Sequence, residues 1–296
     1  MTFNASLTYT SAWQRTWAWF ASSVVNKQSF AGYFEPLVQW VLPQWRSDCI
    51  RSKVQAVRHE SVDMYSLVIR PGKSFKGFSP GQYIELTVLK DGAWLTRFFS
   101  ISSSPKYFIQ SGLIELSIRI QEHGRITPWL LTAVKKGSVV NITQAQGEFV
   151  LPEVPAPMLM IAGGSGITPL RSMLQELSLT DFSIPMNNFP KRHVTLMFYA
   201  RSSEHFLFEA ELQNMHDQHD WFNVVLIDSD KSGFFKEGHL LQSCPDALNR
   251  QVYICGPAPM ITAVRNELQK AQFNEDYVHY EFFGPEPMDY ASVGSA

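Results

Sequence analysis

The sequence predicts a β plus α/β protein: an antiparallel β-barrel followed by a doubly wound parallel sheet, with a helical extension in front. Three observations predict it. The 296 residues are 45% hydrophobic and 18% charged, an ordinary globular composition with length for about two domains. Between Arg51 and Pro152, short β-branched or aromatic runs are separated by turn residues. From Met158 onward, strand-like runs alternate with helical patterns, the rhythm of βαβ units.

The elements follow in chain order. Residues 1–47 are rich in aromatics and poor in charge, and Trp13, Trp17, Phe20 and Val24 fall on the apolar stripe of one helix. Such a stripe is expected to dock on the domain behind it. A membrane-surface helix is the alternative, but it calls for many Lys and Arg on the polar face, where only Arg15 and Lys27 are available. Residues 48–152 form the barrel, with strands at Lys53–His59, Tyr65–Arg70, Tyr83–Leu89, Arg97–Ser102, Ile114–Ile120 and Val139–Thr143. Pro71-Gly72, Ser79-Pro80-Gly81, Asp91-Gly92 and Lys136-Gly137-Ser138 mark the turns between them. Residues 153–287 form the parallel sheet, with strands at Met158–Ala162, Val194–Ala200, Asn223–Ile227, Val252–Cys255 and Val278–Glu281. Its helices are expected at Thr168–Leu177, His205–Met215 and Ala258–Lys270, with a loop at Asp181–Lys191. Residues 288–296 read as a tail or linker, and there is no repeat of the length that builds solenoids.

Composition removes several function classes. A net charge of −2 without a basic run argues against nucleic-acid binding. The 3 cysteines, Cys49, Cys244 and Cys255, are odd in number and far apart, which suits a reducing compartment and gives neither zinc nor iron–sulfur spacing. No metal site is predicted, and His216 and His219 read as surface histidines without a third ligand. No apolar run reaches the roughly 20 residues of a membrane span, and Met1–Thr10 lacks the basic region of a secretory signal. The expected location is therefore cytoplasmic.

The densest chemical signal is Gly163-Gly164-Ser165-Gly166-Ile167-Thr168-Pro169, which leaves a strand and enters a helix. Glycine there lets backbone amides approach a ligand, Thr168 is placed to cap the helix, and Pro169 fits its first turn. Amides and helix dipole then converge on a spot suited to phosphate. The spacing departs from Gly-x-Gly-x-x-Gly at its third position, and a purely structural tight turn is the competing reading. Tyr253-Ile254-Cys255-Gly256-Pro257 repeats the arrangement, with a helix beginning near Pro257, so two strand ends are expected to line one crevice.

In order, Arg97-Phe98-Phe99-Ser100, Gly124-Arg125-Ile126-Thr127, Gly163 to Pro169, Cys255-Gly256-Pro257 and Glu281-Phe282-Phe283 resemble the motif series of the ferredoxin-NADP reductase family. The resemblance spans about residues 50–285, and its nearest form is that of reductases feeding electrons to fatty-acyl desaturases and oxygenases, often with an appended [2Fe-2S] domain. It implies an FAD-binding barrel and an NAD(P)-binding sheet. It assigns Arg97 to the flavin pyrophosphate, Phe99 to stacking on the flavin and Ser100 to the reactive flavin nitrogen; Phe98 is counted with this cofactor-binding motif, although barrel core is the preferred reading for its side chain. Phe99 stands where the family has tyrosine, so the ring is kept and the phenol hydrogen bond is lost. Gly124, Arg125, Ile126 and Thr127 match the turn holding the second flavin phosphate, which points to FAD rather than FMN. Gly163, Gly164, Gly166 and Thr168, with Gly256 and Pro257, are implied to hold the nicotinamide dinucleotide.

Arg201 and Ser202 stand where the family reads the cofactor's ribose, and they favour NADPH over NADH because neither is an acid that accepts from a 2′-hydroxyl. Cys255 resembles the cysteine beside the nicotinamide, and Glu281 with Phe283 the acid and flavin-covering aromatic near the carboxyl end. Ser100, Cys255 and Glu281 are thus the implied catalytic set. The [2Fe-2S] domain needs four cysteines, three of them clustered, and this sequence has no such cluster. The implied acceptor is then a separate iron–sulfur or flavodoxin carrier, or a domain on a longer chain of which this is a piece. A flavin reductase acting directly on a small acceptor and a flavin-binding regulatory subunit are the rival readings.

Overall fold

The computed structural model describes residues 49–121, 124, 126–152, 156–179 and 193–283. The expected N-terminal helix, Arg125, the loop at Asp181–Lys191 and the tail at 288–296 lie outside the described residues.

Six antiparallel strands form the first half: β1 (Ile50–Ser61), β2 (Met64–Arg70), β3 (Tyr83–Lys90), β4 (Ala93–Ser100), β5 (Ile114–Arg119) and β6 (Val139–Ile142). Their order is β4-β3-β6-β1-β2-β5, and a bridge from Ile101 to Leu116 joins the two edges, closing the sheet into a barrel. Val54, Leu67, Ile69, Ile84, Leu86, Ile114, Leu116 and Ile142 fill its interior. All six expected strands are present. β4 begins earlier than expected, because Asp91 and Gly92 take positive φ values of 50° and 76° and fold Trp94 and Leu95 back onto β3 as a tight hairpin. A helix that the strand pattern hid, α1 (Pro105–Ser111), follows β4: Ser104 caps it by accepting from Tyr107 N, and Gly112 ends it at φ 68°. A second, α2 (Thr127–Ala133), leads toward β6.

The second half is a parallel sheet of β7 (Met158–Gly163), β8 (Val194–Ala200), β9 (Phe222–Asp228), β10 (Gln251–Gly256) and β11 (Val278–Phe282), in the order β11-β10-β7-β8-β9. Helices α3 (Ile167–Ser178), α4 (Glu209–Gln218), α5 (Glu237–Ser243) and α6 (Ala258–Lys270) flank it. One face buries Met160, Leu170, Met173 and Phe198, and the other buries Leu159, Ile161, Ile254, Ile261 and Val264. α4 starts four residues later than expected, because Ser203–His205 is a 3-10 turn and Phe208 sits at φ 59°. The strand order reverses between β7 and β10, so their carboxyl ends form the switch point at which ligands of open α/β sheets bind. Among the described residues no helix is long and apolar enough to cross a membrane.

Candidate functional site

At the switch point the two glycine turns lie against each other. Ala162 on β7 is paired with Cys255 on β10, and Cys255 with Glu281 on β11. A Cβ on Gly166 would lie 2.0 Å from the Cys255 carbonyl oxygen, and one on Gly256 3.0 Å from the amide nitrogen of Gly163. Gly163 is closed off by Met260 Sδ at 2.7 Å and Pro257 Cδ at 2.8 Å. The expected reason for these glycines, close approach of backbone to ligand, is thus joined by a second: close approach of backbone to backbone. Gly164 differs, with φ +53° and its open side toward Arg119 of the barrel, 3.4 Å from where a Cβ would stand.

Thr168 does not cap α3. It is buried and donates from Oγ1 to Ser165 O at 2.9 Å, because Gly164–Gly166 forms a 3-10 turn and Gly166 becomes the N-cap. No side chain caps α3, so its first-turn donors are left for backbone or a bound group. Pro169 lies in the first turn, as expected.

Three groups here are electrically unusual. Cys255 is fully buried, and burial, then the neighbouring Glu281 charge, pushes its thiol well above the ordinary range. Burial lifts Glu281 to about 7. Glu281 Oε2 is also a buried polar atom without a hydrogen-bond partner, a property shared among the described residues by Ser100 Oγ, Glu60 Oε1 and Gln251 Oε1. Two of the three implied catalytic residues thus carry orphaned polar atoms, and such atoms in a native fold call for a partner. Phe283 packs on the core face that holds Cys255 and Phe282 on the opposite face, both half-buried.

On the barrel side Arg97 is exposed and uses its Nη1 on Thr96 O at 2.7 Å. The expectation for Phe98 is overturned. It is 63% exposed and meets Tyr83 edge-on at 5.6 Å, because it shares the outer face with Ser100. Phe99, in register with the core residue Ile84, is half-buried against the barrel interior. Gly124 and Thr127 close a tight loop, with Gly124 N donating to Gln121 O at 2.7 Å and Gln121 N donating to Thr127 Oγ1 at 3.0 Å. Ile126 is buried at the uncapped start of α2. At the end of β8, Arg201 is exposed, and Ser202 Oγ lies 2.8 Å from His205 Nδ1.

The structure gathers Gly163, Gly166, Cys255, Gly256 and Glu281 at one strand-end cluster. Ser100 belongs to the barrel, and the residue that ties the two sides was not foreseen. Arg171 of α3 is 7% exposed and donates to Ser102 O at 3.1 Å, Glu115 Oε2 at 3.0 Å and Glu211 Oε2 at 2.8 Å, with Phe208 beneath its guanidinium at 4.0 Å. Glu115 also accepts from Arg58, and Ser172 Oγ donates to Ser103 O at 2.7 Å. The helix behind the glycine turn is therefore pinned two residues past Ser100. The one sequence signal for this was a charged residue, Arg171, between Leu170 and the apolar pair Met173 and Leu174 of the helix.

Comparisons with known proteins agree with the geometry. Residues 51–151 match the oxidoreductase FAD-binding domain and residues 160–266 the oxidoreductase NAD-binding domain. An NADPH oxidoreductase of Mycobacterium tuberculosis is 30% identical over 248 residues, covering 81% of this chain and 62% of the relative. A glycine betaine monooxygenase reductase subunit of Chromohalobacter salexigens is 28% identical, covering 72% of this chain and 58% of the relative. The chain spans about three fifths of the length of these curated relatives. Among solved structures, a cytochrome P450 reductase of Amycolatopsis superposes with a TM-score of 0.67 at 23% identity, over 80% of this chain and 70% of that one. A ferredoxin NADP+ reductase of Neisseria gonorrhoeae, with FAD and NADP bound, gives 0.65 at 18% identity over 80% and 99%.

Proposed function

The chain carries the FAD-binding and NAD-binding oxidoreductase domains typical of the ferredoxin-NADP reductase family, and we propose that it takes hydride from NADPH and passes electrons singly to a separate iron–sulfur or flavodoxin-type carrier that supplies a desaturase or oxygenase. The observation that carries this reading is the pair of orphaned buried atoms, Ser100 Oγ on the barrel and Glu281 Oε2 on the sheet. A flavin and a nicotinamide bound there would supply the partners these two atoms lack. FAD, when bound, contributes acceptance of two electrons together and their release one at a time.

The protein's part is placement. The free portion of the Arg97 fork suits pyrophosphate oxygens, the turn at Gly124–Thr127 a second phosphate, and the exposed Phe98 and half-buried Phe99 the faces and edge of a flat ring. The uncapped start of α3 and the Gly163–Gly166 turn suit the dinucleotide phosphates, and Arg201 with Ser202 and His205 suits a 2′-phosphate. Cys255 stays a protonated thiol and serves as an apolar wall, since its environment opposes a thiolate. Glu281 holds a proton on its carboxyl up to about neutral pH. The carrier is inferred from the relatives named as oxygenase and P450 reductases. The cytoplasm is the compartment we infer, the buried thiols Cys244 and Cys255 being compatible with reducing conditions.

The test uses the full chain loaded with FAD. A yellow protein bleached by NADPH without oxygen, with cytochrome c reduction that requires added ferredoxin, is the expected result. Turnover without ferredoxin would favour direct reduction of a small acceptor. A colourless protein after FAD loading would end the flavin reading.

A further inference from the structure

We propose that Ser172 and Gln175 of α3, together with Arg171, are positioning residues: they hold the chain that leaves Ser100 in one place beside the glycine turn. They thereby set the gap a hydride must cross, an inference that rests on the hydride reading of the site. α3 divides its surface between two tasks. Leu170, Met173, Leu174 and Leu177 bury in the core shared with the sheet. Arg171, Ser172, Gln175 and Glu176, at i, i+1, i+4 and i+5, form a second face, and that face meets the barrel.

The meeting is a zipper of side chain to main chain. Arg171 Nη1 donates to Ser102 O at 3.1 Å, and Ser172 Oγ donates to Ser103 O at 2.7 Å. Gln175 Oε1 accepts from Ser104 N at 3.0 Å, and Glu176 Oε2 accepts from Lys106 N at 3.2 Å. The four bonds run in the same order along both chains. A slip of one residue in either direction would bring Pro105, which has no N–H, opposite Gln175 or Glu176, so the register is unique. Ser102, Ser103, Ser104 and Ser172 are all buried. The segment is held from the barrel side as well, with Ser102 N donating to Glu115 O at 2.8 Å and Ser103 Oγ accepting from Glu115 N at 3.0 Å. Behind the helix, Glu211 of α4 accepts from Gln175 Nε2 at 2.7 Å, which fixes the amide with its oxygen toward Ser104.

Both arms of this zipper end at the site. Ser100 stands two residues ahead of Ser102, about 7 Å of extended chain, and Gly166 stands five residues ahead of Arg171, about 8 Å of helix. Ile101 is bridged to Leu116 in the first arm, and α3 begins at Ile167 in the second, so no loose loop separates the orphaned Ser100 Oγ from the glycine turn. Hydrogen bonds of this kind add modest net stability, because water offers the same partners; what they add beyond apolar contact is direction. Direction matters here. Reacting atoms must stand about 3–3.5 Å apart, and a misplacement of about 1 Å costs about a hundredfold in rate.

The experiment uses the full chain loaded with FAD and two variants: Ser172→Ala, which deletes one oxygen atom, and Gln175→Met, which keeps the side chain's length and loses both hydrogen bonds. Flavin bleaching by saturating NADPH without oxygen is followed by stopped flow, and the Kd values for FAD and for NADP+ are measured by equilibrium dialysis. The expected result is bleaching about tenfold slower in Ser172→Ala and about a hundredfold slower in Gln175→Met, with both Kd values within about twofold of wild type. The slowed rates should fall further with NADPH deuterated at the transferred position, because the hydride step then limits. Should Gln175→Met not fold, Ser172→Ala decides alone. Wild-type bleaching rates in the variants, a rate loss matched by an equal loss of affinity, or slow rates insensitive to deuterium would overturn the proposal and leave this face of α3 as a plain interface. A wild type that binds FAD yet is not bleached by NADPH would overturn the hydride reading itself, and this inference with it.

Discussion

The two halves of the candidate site contain the same kind of turn, built for different reasons. On the barrel, Gly124 and Thr127 close a loop on their own neighbour Gln121, while Arg97 and Phe98 are exposed. On the sheet, Gly163, Gly166 and Gly256 come from distant strand ends and hold backbone against backbone, with α3 locked behind them by Arg171. A glycine turn before a helix therefore carries two meanings. One presents a surface to a ligand, and the other removes a side chain so that two turns can touch. Substitutions at the exposed barrel residues should register as lost ligand affinity, and those at the sheet's glycine cluster and its Arg171 lock first as lost stability.

The strongest way to break that contrast is Arg171→Met. It leaves Glu115 and Glu211 without the central cation, and removing one partner from a buried ion network costs about 3–5 kcal/mol. Denaturant unfolding should show that loss. Because the sites share a network, the double variant Arg171→Met, Glu115→Leu should lose less than the sum of the singles. Gly166→Ala comes next: with the Cys255 carbonyl 2.0 Å from the new methyl, about 3 kcal/mol is expected. Gly124→Ala, whose methyl would meet Gln121 Cβ and carbonyl oxygen at 2.9 Å and Thr127 Oγ1 at 3.3 Å, should cost less, about 1–2 kcal/mol. Equal losses at the two glycines would erase the distinction drawn between the halves.

The frame of the molecule was legible because barrel strands such as β1 alternate in burial at their start and the central sheet strands β7 and β8 are almost wholly apolar, as one- and two-sided burial demand. The switch-point cluster was legible for a local reason: Gly163–Pro169 and Cys255–Pro257 each mark a strand end. What the sequence hid was nonlocal. Arg171 meets Glu115 across 56 positions and Glu211 across 40, and no short-range period encodes such a meeting. Phe98 and Phe99 were reversed in exposure because two adjacent aromatics on a strand look alike until the register with Ile84 and Tyr83 fixes which one faces inward. Thr168 was misassigned as a cap because Gly164–Gly166 inserts a 3-10 turn that moves the helix start.

Affinity effects sharpen the contrast from the other side. Arg97→Ala should change stability by no more than about 0.5 kcal/mol, its side chain being exposed, yet weaken FAD binding by about ten- to a hundredfold, the worth of a charge-assisted hydrogen bond. Equilibrium dialysis against FAD measures it. Arg201→Ala is the sheet-side counterpart, exposed at the end of β8, and should raise the KM for NADPH by a similar factor while moving that for NADH little. Equal effects on the two dinucleotides would remove Arg201 from the 2′-phosphate site.

At Glu281 stability and ligand chemistry meet. Burial lifts this carboxyl from 4.5 to about 7, so the folded protein binds a proton that the unfolded chain releases near pH 4.5. The sign follows. The contribution of Glu281 to stability is intact below about pH 4.5 and is lost as pH rises through about 7, where the charge forms without a partner on Oε2. Glu281→Gln should remove that dependence, matching the wild type at low pH and exceeding it by about 1–2 kcal/mol at high pH, the full shift being discounted for partial exposure. Bound NADPH is the sharper probe. If the nicotinamide supplies the missing partner, wild-type KM should show an inflection near pH 7 that the Gln variant lacks. The same inflection in both proteins would place the titrating group elsewhere and leave Glu281 with a purely structural part.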